Sequence, residues 1–221
     1  TTHYFYETTA GAGLPIISTL KDLIKTGDKV IEIEGVLSGT LSFIFNNLSD
    51  ELTFSEIVKQ AKEEGYTEPD PRDDLSGLDV ARKLVILARE MGLSTEVEDV
   101  KIEKLLPENS FQASSIDAFL EDLPSYDQSM SQKVSEAASK DEVLRYVGVI
   151  KANGECDIQL KSYSKNHPFA NLRGSENVVL FKTERYQTYP LIVQGPGAGA
   201  AVTAGGVFAE LLRLADLLGN S

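Results

Sequence analysis

The sequence contains one cysteine, two histidines and no tryptophan among its 221 residues. The single cysteine, Cys156, excludes an internal disulfide framework, and a reducing, cytoplasmic compartment is the usual setting for such a chain. The two histidines, His3 and His167, are far apart, so no His/Cys cluster has the spacing of a zinc site. Because no histidine is near Cys156 in the sequence, we interpret this residue as a packing residue and not a thiol nucleophile.

Long apolar runs and positive charge are also scarce. No stretch approaches the roughly 20 apolar residues that a membrane helix needs. The first residues, TTHYFYETT, have neither the basic start nor the apolar core of a signal peptide. A formal net charge of −13 repels phosphate backbones. We therefore expect no membrane partner and no nucleic-acid partner.

What is present is the composition of a folded globular protein. Hydrophobic residues make up 42% and charged residues 25% of the chain. There is no initiator methionine, and a strand is predicted over residues 3–7, so we interpret the chain as a segment of a longer protein. In the N-terminal half, apolar spacing and Gly or Pro breaks predict a helix from Pro15 to Gly27, a strand over 29–36, a buried helix from Ser38 and an amphipathic helix over 54–65.

After residue 75 the predicted helices give way to strands. A helix is predicted over residues 76–91, with Ser76 as its cap, and another near 129–139. Strands over 143–150 and 155–163 flank the turn pair Asn153-Gly154, which is typical of a hairpin. Further strands over 177–183 and 190–194 precede a last helix over 207–218. The pattern predicts an α+β fold with a mainly antiparallel or mixed sheet and helices packed on one face.

Asp79 and Lys83 are the most informative pair of charged residues. A spacing of four places both side chains on one face of the predicted helix. Most such pairs are exposed ion pairs that contribute only about 0.3–0.5 kcal/mol. Here the helix is apolar on nearly every side, which predicts burial. We therefore expect the pair at the edge of a cavity, where a lysine acts as a proton donor or binds an anion.

The segment before this helix concentrates charge between two prolines. A solvated acidic loop and a carboxylate set that binds a substrate ammonium group are both consistent with it, and charge alone does not distinguish them. The charged residues are Glu68, Asp70, Arg72, Asp73 and Asp74.

Two glycine-bearing segments suggest ligand sites of other kinds. GPGAG at residues 195–199 follows a strand and opens a helix, the setting of a phosphate-binding turn, although its spacing differs from G-x-G-x-x-G and tight packing is equally consistent. ETTAGAGLP at residues 7–15 combines a carboxylate with a loop whose carbonyls suit a hard cation. An ordinary strand-to-helix turn explains the second segment equally well.

Long motifs in the chain resemble those of homoserine dehydrogenases. The central one is YTEPDPRDDLSGLDVARK at residues 66–83. The others, in the family's order, are GAGLPIISTLKDLIKTGD at 11–28, IEGVLSGTLSFIF at 33–45, HPFANLRGSENVV at 167–179 and QGPGAGAAVTAGG at 194–206. The resemblance covers nearly the whole chain and looks closest to the fungal, monofunctional type.

The resemblance implies an oxidoreductase that interconverts aspartate semialdehyde and homoserine with NADP or NAD, in threonine and methionine biosynthesis. It assigns Lys83 as the acid/base and Asp79 as its helper at the hydroxyl end of homoserine. Glu68 would bind the substrate amino group, with Tyr66 and Asp74 lining the same pocket. Gly199 would approach the dinucleotide, and the family's homodimer would form through the sheet, over residues 143–194.

The resemblance also implies a structural sodium ion held by the Glu7 side chain and by the carbonyls of Ala10, Ala12 and Leu14. The family has valine where this chain has Ala10, a change that a carbonyl ligand tolerates. Residues 1–221 would form the substrate-binding and dimerisation domain. The family's N-terminal nucleotide-binding domain is absent from the chain, and the tail, residues 195–219, would pack against it.

Two functions therefore compete at this point. The first is the catalytic part of a homoserine dehydrogenase, inactive alone because the cofactor domain is missing. The second is a non-catalytic dimerisation module that keeps the family fold. The intact set of Glu68, Asp79 and Lys83 favours the enzyme, and the reading frame upstream of Thr1 would discriminate the two.

Overall fold

A six-stranded sheet forms the centre of the protein. The computed structural model describes residues 3–49 and 51–219. The sheet order is β2-β4-β3-β1-β5-β6. Only β2 and β4 run parallel, and the other neighbours are antiparallel, so the sheet is mixed. The strands are β1 (Val30–Val36), β2 (Lys101–Ile102), β3 (Glu142–Lys151), β4 (Cys156–Ser164), β5 (Glu176–Thr183) and β6 (Leu191–Pro196).

Helices pack on one face of the sheet and supply most of the core. They are α1 (Thr8–Gly11), α2 (Ile16–Lys25), α3 (Gly39–Asn47), α4 (Phe54–Glu63), α5 (Pro71–Leu75), α6 (Leu78–Glu90), α7 (Ile116–Asp122), α8 (Asp127–Ala138) and α9 (Ala200–Gly219). The large hydrophobic cluster joins these helices to one face of the sheet through Ile33, Val179 and Phe181. A smaller cluster on the other face contains Val147, Val178 and, from a short 3₁₀ turn over Pro168–Asn171, Phe169.

Local signals explain where the helices begin. Ser38 caps α3 by accepting a hydrogen bond from the backbone N–H of Leu41 at 3.2 Å. Thr53 and Glu56 form a reciprocal capping box at the start of α4. Gly77 opens α6 with φ +75°. A Cβ at Gly77 would lie 2.6 Å from the Tyr146 hydroxyl, so glycine meets both the backbone and the steric requirement there.

Arg145 joins three parts of the fold. It is buried on β3, and its guanidinium donates to the carbonyls of Phe45 at 3.0 Å and Phe169 at 2.8 Å. Burial lowers the pKa of Arg145 to about 10. The contact with Phe45 places a cation at the last turn of α3, where the helix dipole favours positive charge. Arg145 thereby fixes the C-terminal end of α3 against the sheet.

The structure confirms most of the predicted elements. The fold class, with its mixed sheet and helix-covered face, is confirmed, as are the helices from residues 16, 39 and 54 and the hairpin about Gly154, which has φ +91°. The last helix begins earlier than expected, at Ala200. The region 95–142, in which one helix was predicted, also contains β2 and α7, whose short lengths leave weak periodicity.

Three local predictions are wrong. Residues 3–6 form no strand; the Tyr6 hydroxyl instead donates to Glu90 and accepts from Lys21 at 2.9 Å. The N-cap of α6 is Gly77, although the Ser76 hydroxyl still accepts from the Leu78 N–H at 3.2 Å. The helix α6 is buried on one side only, since Asp79 and Arg82 are exposed.

The last helix, α9, lies at the surface of the described part of the protein. Near its middle it contacts the segment before α1, where Glu210 accepts a hydrogen bond from the Glu7 N–H at 2.6 Å. Several of its large apolar side chains are exposed: Val207, Phe208, Leu211, Leu212, Leu217 and Leu218. Across residues 3–49 and 51–219, no helix combines the length and apolarity needed to cross a membrane.

Candidate functional site

A cleft of about 460 Å³ lies where α6, the start of α3 and the turn before α9 meet. Six of the residues predicted for catalysis, substrate binding or cofactor binding line it. Those six are Tyr66, Glu68, Asp74, Asp79, Lys83 and Gly199. Residues separated by 133 positions in the sequence are thus neighbours in space, which local spacing alone does not require.

Lys83 occupies the inner wall of this cleft. Its ammonium lies 2.7 Å from the Asp79 carboxylate, one helical turn earlier, and donates to the carbonyl of Leu37 at 2.8 Å. The Lys83 side chain is 18% exposed, whereas that of Asp79 is 60% exposed. An ammonium has three N–H donors. One is donated to Leu37, and Asp79 neutralises the ammonium as an ion pair, so the ammonium retains donor capacity for an oxygen atom of a bound molecule.

Asp74 organises the loop opposite Lys83. One carboxylate oxygen accepts from the Thr40 hydroxyl at 2.7 Å, and the other accepts from the Glu68 N–H at 2.8 Å. Burial raises the pKa of the Asp74 carboxyl, although these two hydrogen bonds act in the opposite direction. Both oxygens serve contacts within the protein, so Asp74 holds the loop in place as well as lining the cleft.

Glu68 and Tyr66 present different chemistry on the same loop. Within the described residues the Glu68 carboxylate makes no hydrogen bond or ion pair, and the residue is exposed. Tyr66 stacks on Phe43 with 4.3 Å between ring centroids, and its carbonyl lies 2.6 Å from the Thr40 hydroxyl, whose single hydrogen is shared between this carbonyl and Asp74. A carboxylate free of internal partners, on a loop fixed by Asp74 and Tyr66, suits a cationic ligand group.

The glycine turn, residues 195–199, closes another side of the cleft. Gly197, Ala198 and Gly199 line it, and α9 begins at the next residue. Gly199 has φ +127°, a conformation that residues with a side chain rarely adopt. The turn therefore brings bare backbone to the cleft, as expected for a segment that approaches a ligand closely.

Glu7 lies outside this cleft, at the start of α2. Its carboxylate accepts from the N–H groups of Ile17 at 2.6 Å and Ser18 at 2.9 Å, and lies 3.6 Å from Arg213 on α9. Each carboxylate oxygen retains a lone pair that an ion could use. The adjacent Ala12 has φ 52°, which is unusual for a residue with a side chain. A buried carboxylate beside an irregular loop is compatible with an oxygen-coordinated cation.

Sequence reasoning missed three polar residues of the cleft. Ser38, Thr40 and Ser175 line it, and Thr40 contacts both Tyr66 and Asp74. The segment Ser38-Gly39-Thr40 lies inside a motif used for the family resemblance, so the signal was present. Its position was interpreted only as the start of a buried helix.

Among the described residues, the other cavities do not contain the Lys83–Asp79 pair. A cavity of about 570 Å³ beside the loop is lined by Leu78, Ile102 and Phe111 together with the Asp70–Arg72 ion pair. A cavity of about 390 Å³ lies between α3, α8 and β3, next to Arg145. Neither contains a residue predicted for catalysis, so the 460 Å³ cleft is the candidate site.

The fold and the cleft define a small-molecule-binding α+β domain with a lysine–carboxylate pair suited to proton transfer. Comparison with known proteins identifies the family to which this domain belongs. The model of the homoserine dehydrogenase family matches residues 15–212. The chain therefore belongs to the homoserine dehydrogenase family.

Relatives from plants and fungi share much of this sequence. The bifunctional aspartokinase/homoserine dehydrogenase 2, chloroplastic, of Zea mays is 57% identical over 99% of the chain, which spans 24% of that protein. The homoserine dehydrogenase of Saccharomyces cerevisiae is 48% identical over 97% of the chain, which spans 61% of that protein. The family resemblance is confirmed, and the plant protein is a stronger match than the fungal type that the motifs suggested.

Solved structures agree on the fold. A Candida auris protein of unknown function superposes with a TM-score of 0.90 at 47% identity, covering 96% of this chain and 61% of that one. A hyperthermophilic archaeal homoserine dehydrogenase mutant in complex with NADPH superposes with a TM-score of 0.69 at 25% identity, covering 95% and 54%. The chain thus corresponds to only part of each of these proteins.

Proposed function

We propose that this chain is the substrate-binding and dimerisation part of an NAD(P)-dependent homoserine dehydrogenase that interconverts L-aspartate 4-semialdehyde and L-homoserine. The observation that carries the proposal is the cleft that combines Lys83, Asp79 and Glu68. Membership of the family supports it. The test is a spectrophotometric assay of homoserine-dependent NADP or NAD reduction by the full-length protein, meaning this chain preceded by its nucleotide-binding domain. If that protein is inactive, the alternative of a non-catalytic dimerisation module stands.

Lys83 is proposed as the general acid and base. When aspartate semialdehyde is reduced, negative charge develops on the carbonyl oxygen, and a nearby ammonium stabilises it and then donates a proton. The Asp79 carboxylate at 2.7 Å and the Leu37 carbonyl at 2.8 Å orient the ammonium, which would donate a remaining N–H to that oxygen. In the reverse direction, the neutral amine would take the proton from the homoserine hydroxyl.

Substrate recognition is proposed to depend on the loop over residues 66–74. The free Glu68 carboxylate would bind the α-ammonium of the amino-acid substrate, an interaction between opposite charges. Asp74 and Tyr66 line the same side of the cleft. Because Asp74 accepts from the Glu68 N–H, it also fixes the backbone that carries the recognition group.

The nicotinamide dinucleotide is proposed to reach the cleft past the glycine turn, with Gly199 as the residue of closest approach. The cofactor supplies the hydride, and the protein orients it. The exposed apolar side chains of α9, including Val207 and Leu211, would pack against the nucleotide-binding domain. The NADPH complex of the archaeal relative supports a dinucleotide in this family.

A structural Na⁺ is proposed at Glu7, with the carbonyls of Ala10, Ala12 and Leu14 as further ligands. An all-oxygen donor set suits a hard cation. The burial of Glu7, with 6% of the residue exposed, supports the proposal, and the irregular backbone at Ala12 is consistent with it.

A homodimer through the sheet is proposed as well. On the face opposite the main core, Ile192 of the edge strand β6 is 41% exposed. Apolar side chains on an open edge strand favour association with another copy.

A cytoplasmic location is also proposed, and it rests on the single cysteine; the plant relatives are named chloroplastic.

A further inference from the structure

Asn177 carries a buried side-chain amide that has no hydrogen-bond partner. The residue is 0% exposed, and in the described part of the chain neither its Oδ1 nor its Nδ2 is paired. The amide offers two donors and an acceptor. A polar group buried without partners lowers the stability of the folded protein, and such groups are rare in folded proteins.

The glycine turn lies directly on this amide. Asn177 on β5 pairs with Gly195 on β6, and the chain then passes over the Asn177 side chain. A Cβ built on Gly197 would lie 2.2 Å from Asn177 Cγ, 2.3 Å from Oδ1 and 2.4 Å from Nδ2. Glycine is therefore required at 197 while Asn177 keeps this position. Since Gly197 also lines the candidate cleft, the amide is one layer behind the cleft wall.

We propose that Asn177 is a positioning residue for the glycine turn, and that its amide hydrogen-bonds to the turn's backbone when a nicotinamide dinucleotide occupies the cleft. The inference rests on the proposed function for the identity of the ligand. Within the described residues the amide is unpaired. Three glycines in five residues, at 195, 197 and 199, give the turn the backbone freedom to bring its peptide groups to the amide.

Packing alone does not account for an asparagine at this position. The next residues of β5, Val178 and Val179, are apolar and fully buried, and asparagine is disfavoured in strands. An apolar residue at 177 would remove two unpaired polar atoms from the interior. The unpaired amide is thus costly, and hydrogen bonds gained from the turn when the dinucleotide binds would offset that cost and hold the turn in position.

Hydrogen–deuterium exchange on the full-length protein tests the inference independently of turnover. Saturating NADPH should slow exchange at the amides of residues 197–199 in the wild type. In Asn177→Ala that protection of residues 197–199 should be lost, while protection in the nucleotide-binding domain remains. Equal protection of the turn in the two proteins, or no protection in the wild type, overturns the inference.

A double-mutant cycle separates positioning from packing. Gly197→Ala alone should destabilise the protein because its Cβ collides with the Asn177 amide. Adding Asn177→Ala removes the colliding atoms and should restore thermal stability. Activity is compared in Asn177→Ala alone, which leaves the glycines of the turn unchanged. If the amide positions the turn, Asn177→Ala lowers kcat/KM for the dinucleotide by about tenfold, as expected for one lost hydrogen bond. If the contact is only packing, Asn177→Ala keeps the wild-type kcat/KM, and the inference fails.

Asn46→Ala is the matched control. The Oδ1 of Asn46 is also buried without a partner, but Asn46 lines the separate cavity beside Arg145. It should leave exchange at residues 197–199 unchanged. An inactive wild-type protein would refute the proposed function, whereas an active wild type whose turn behaves identically in Asn177→Ala would refute this inference alone.

Discussion

The Lys83 ammonium lies 2.7 Å from the Asp79 carboxylate, at the edge of the cleft, with only 18% of the lysine side chain exposed. This pair differs from an ordinary surface ion pair because the lysine also binds the Leu37 carbonyl and faces the cleft. The ion pair orients Lys83, and the cleft gives the oriented ammonium a site at which to act.

Replacing Lys83 should abolish most of the activity without unfolding the protein. In the full-length enzyme, Lys83→Ala should lower kcat by about 10²–10⁴-fold, the range for loss of a general acid. Circular dichroism and thermal melting should remain close to wild type. Lys133→Ala, an exposed lysine on α8, is the matched control and should keep full activity. A Lys83→Ala variant with near-normal kcat would assign the proton transfer to another residue.

The contributions of Asp70 and Asp74, two carboxylates of the 66–74 loop, to the free energy of unfolding should change with pH in opposite directions. The Arg72 side chain lowers the pKa of Asp70, so the stability that Asp70 contributes is present above its ordinary pKa of 3.8 and is lost as pH falls through the lower folded value. Burial raises the pKa of Asp74, so its contribution to the free energy of unfolding grows as pH falls through the raised value. The destabilisation caused by Asp70→Asn should therefore shrink on acidification, and that caused by Asp74→Asn should grow.

Urea unfolding of the wild type and both variants, from neutral pH down to below 3.8, measures these trends. The comparison uses differences from wild type, so other titrating groups cancel. Parallel pH profiles for Asp70→Asn and Asp74→Asn would show that burial of Asp74 is not what governs its titration.

Sodium should stabilise the protein through Glu7. Replacing choline chloride by NaCl at equal ionic strength should raise the thermal midpoint by about 2–4 °C, the shift that one kcal/mol causes in a domain of this size. Glu7→Gln should remove this difference. It should also lower stability in both salts, because Glu7 accepts from Ile17 and Ser18 at the start of α2. The exposed Glu121→Gln serves as control, and identical wild-type midpoints in the two salts would argue against the ion.

Charge on the edge strand should weaken the homodimer. Light scattering should give the wild type twice the mass of one chain at micromolar concentration. Ile192→Glu, which places a carboxylate on exposed β6, should shift the protein toward monomer. Leu52→Glu is a matched control, since Leu52 is 40% exposed and lies outside the sheet. A monomeric wild type, or an unaffected Ile192→Glu dimer, would contradict association through this strand.

The 221-residue chain alone should not oxidise homoserine with NAD or NADP. Hydride transfer needs the reacting atoms held about 3–3.5 Å apart in an aligned pose. The glycine turn offers the dinucleotide only a few backbone groups, too few to fix it. Joining the nucleotide-binding domain should restore turnover. A purified chain of confirmed mass that reaches the rate of the full-length enzyme would overturn the missing-domain argument.

Much of this protein was predictable from local sequence. Three kinds of pattern depend on residues close together in the chain and therefore predict structure directly. They are the helical apolar spacing of three to four residues, the Asn153-Gly154 turn, and the alternation of apolar and polar side chains in the late strands. The same locality placed Asp79 and Lys83 on one helical face. The site residues Glu68, Tyr66 and Gly199 came from the family resemblance, because charge and glycine spacing alone left alternatives open.

Only the tertiary structure decided how distant segments share one cleft. The contact of Lys83 with the Leu37 carbonyl joins residues 46 positions apart, and that of Thr40 with Asp74 joins residues 34 apart. The unpaired amide of Asn177 beneath Gly197 likewise depends on the pairing of β5 with β6. Strand pairing and helix packing set these distances through many non-local contacts. No short stretch of sequence carries that information, whereas one helical turn is enough to bring Asp79 to Lys83.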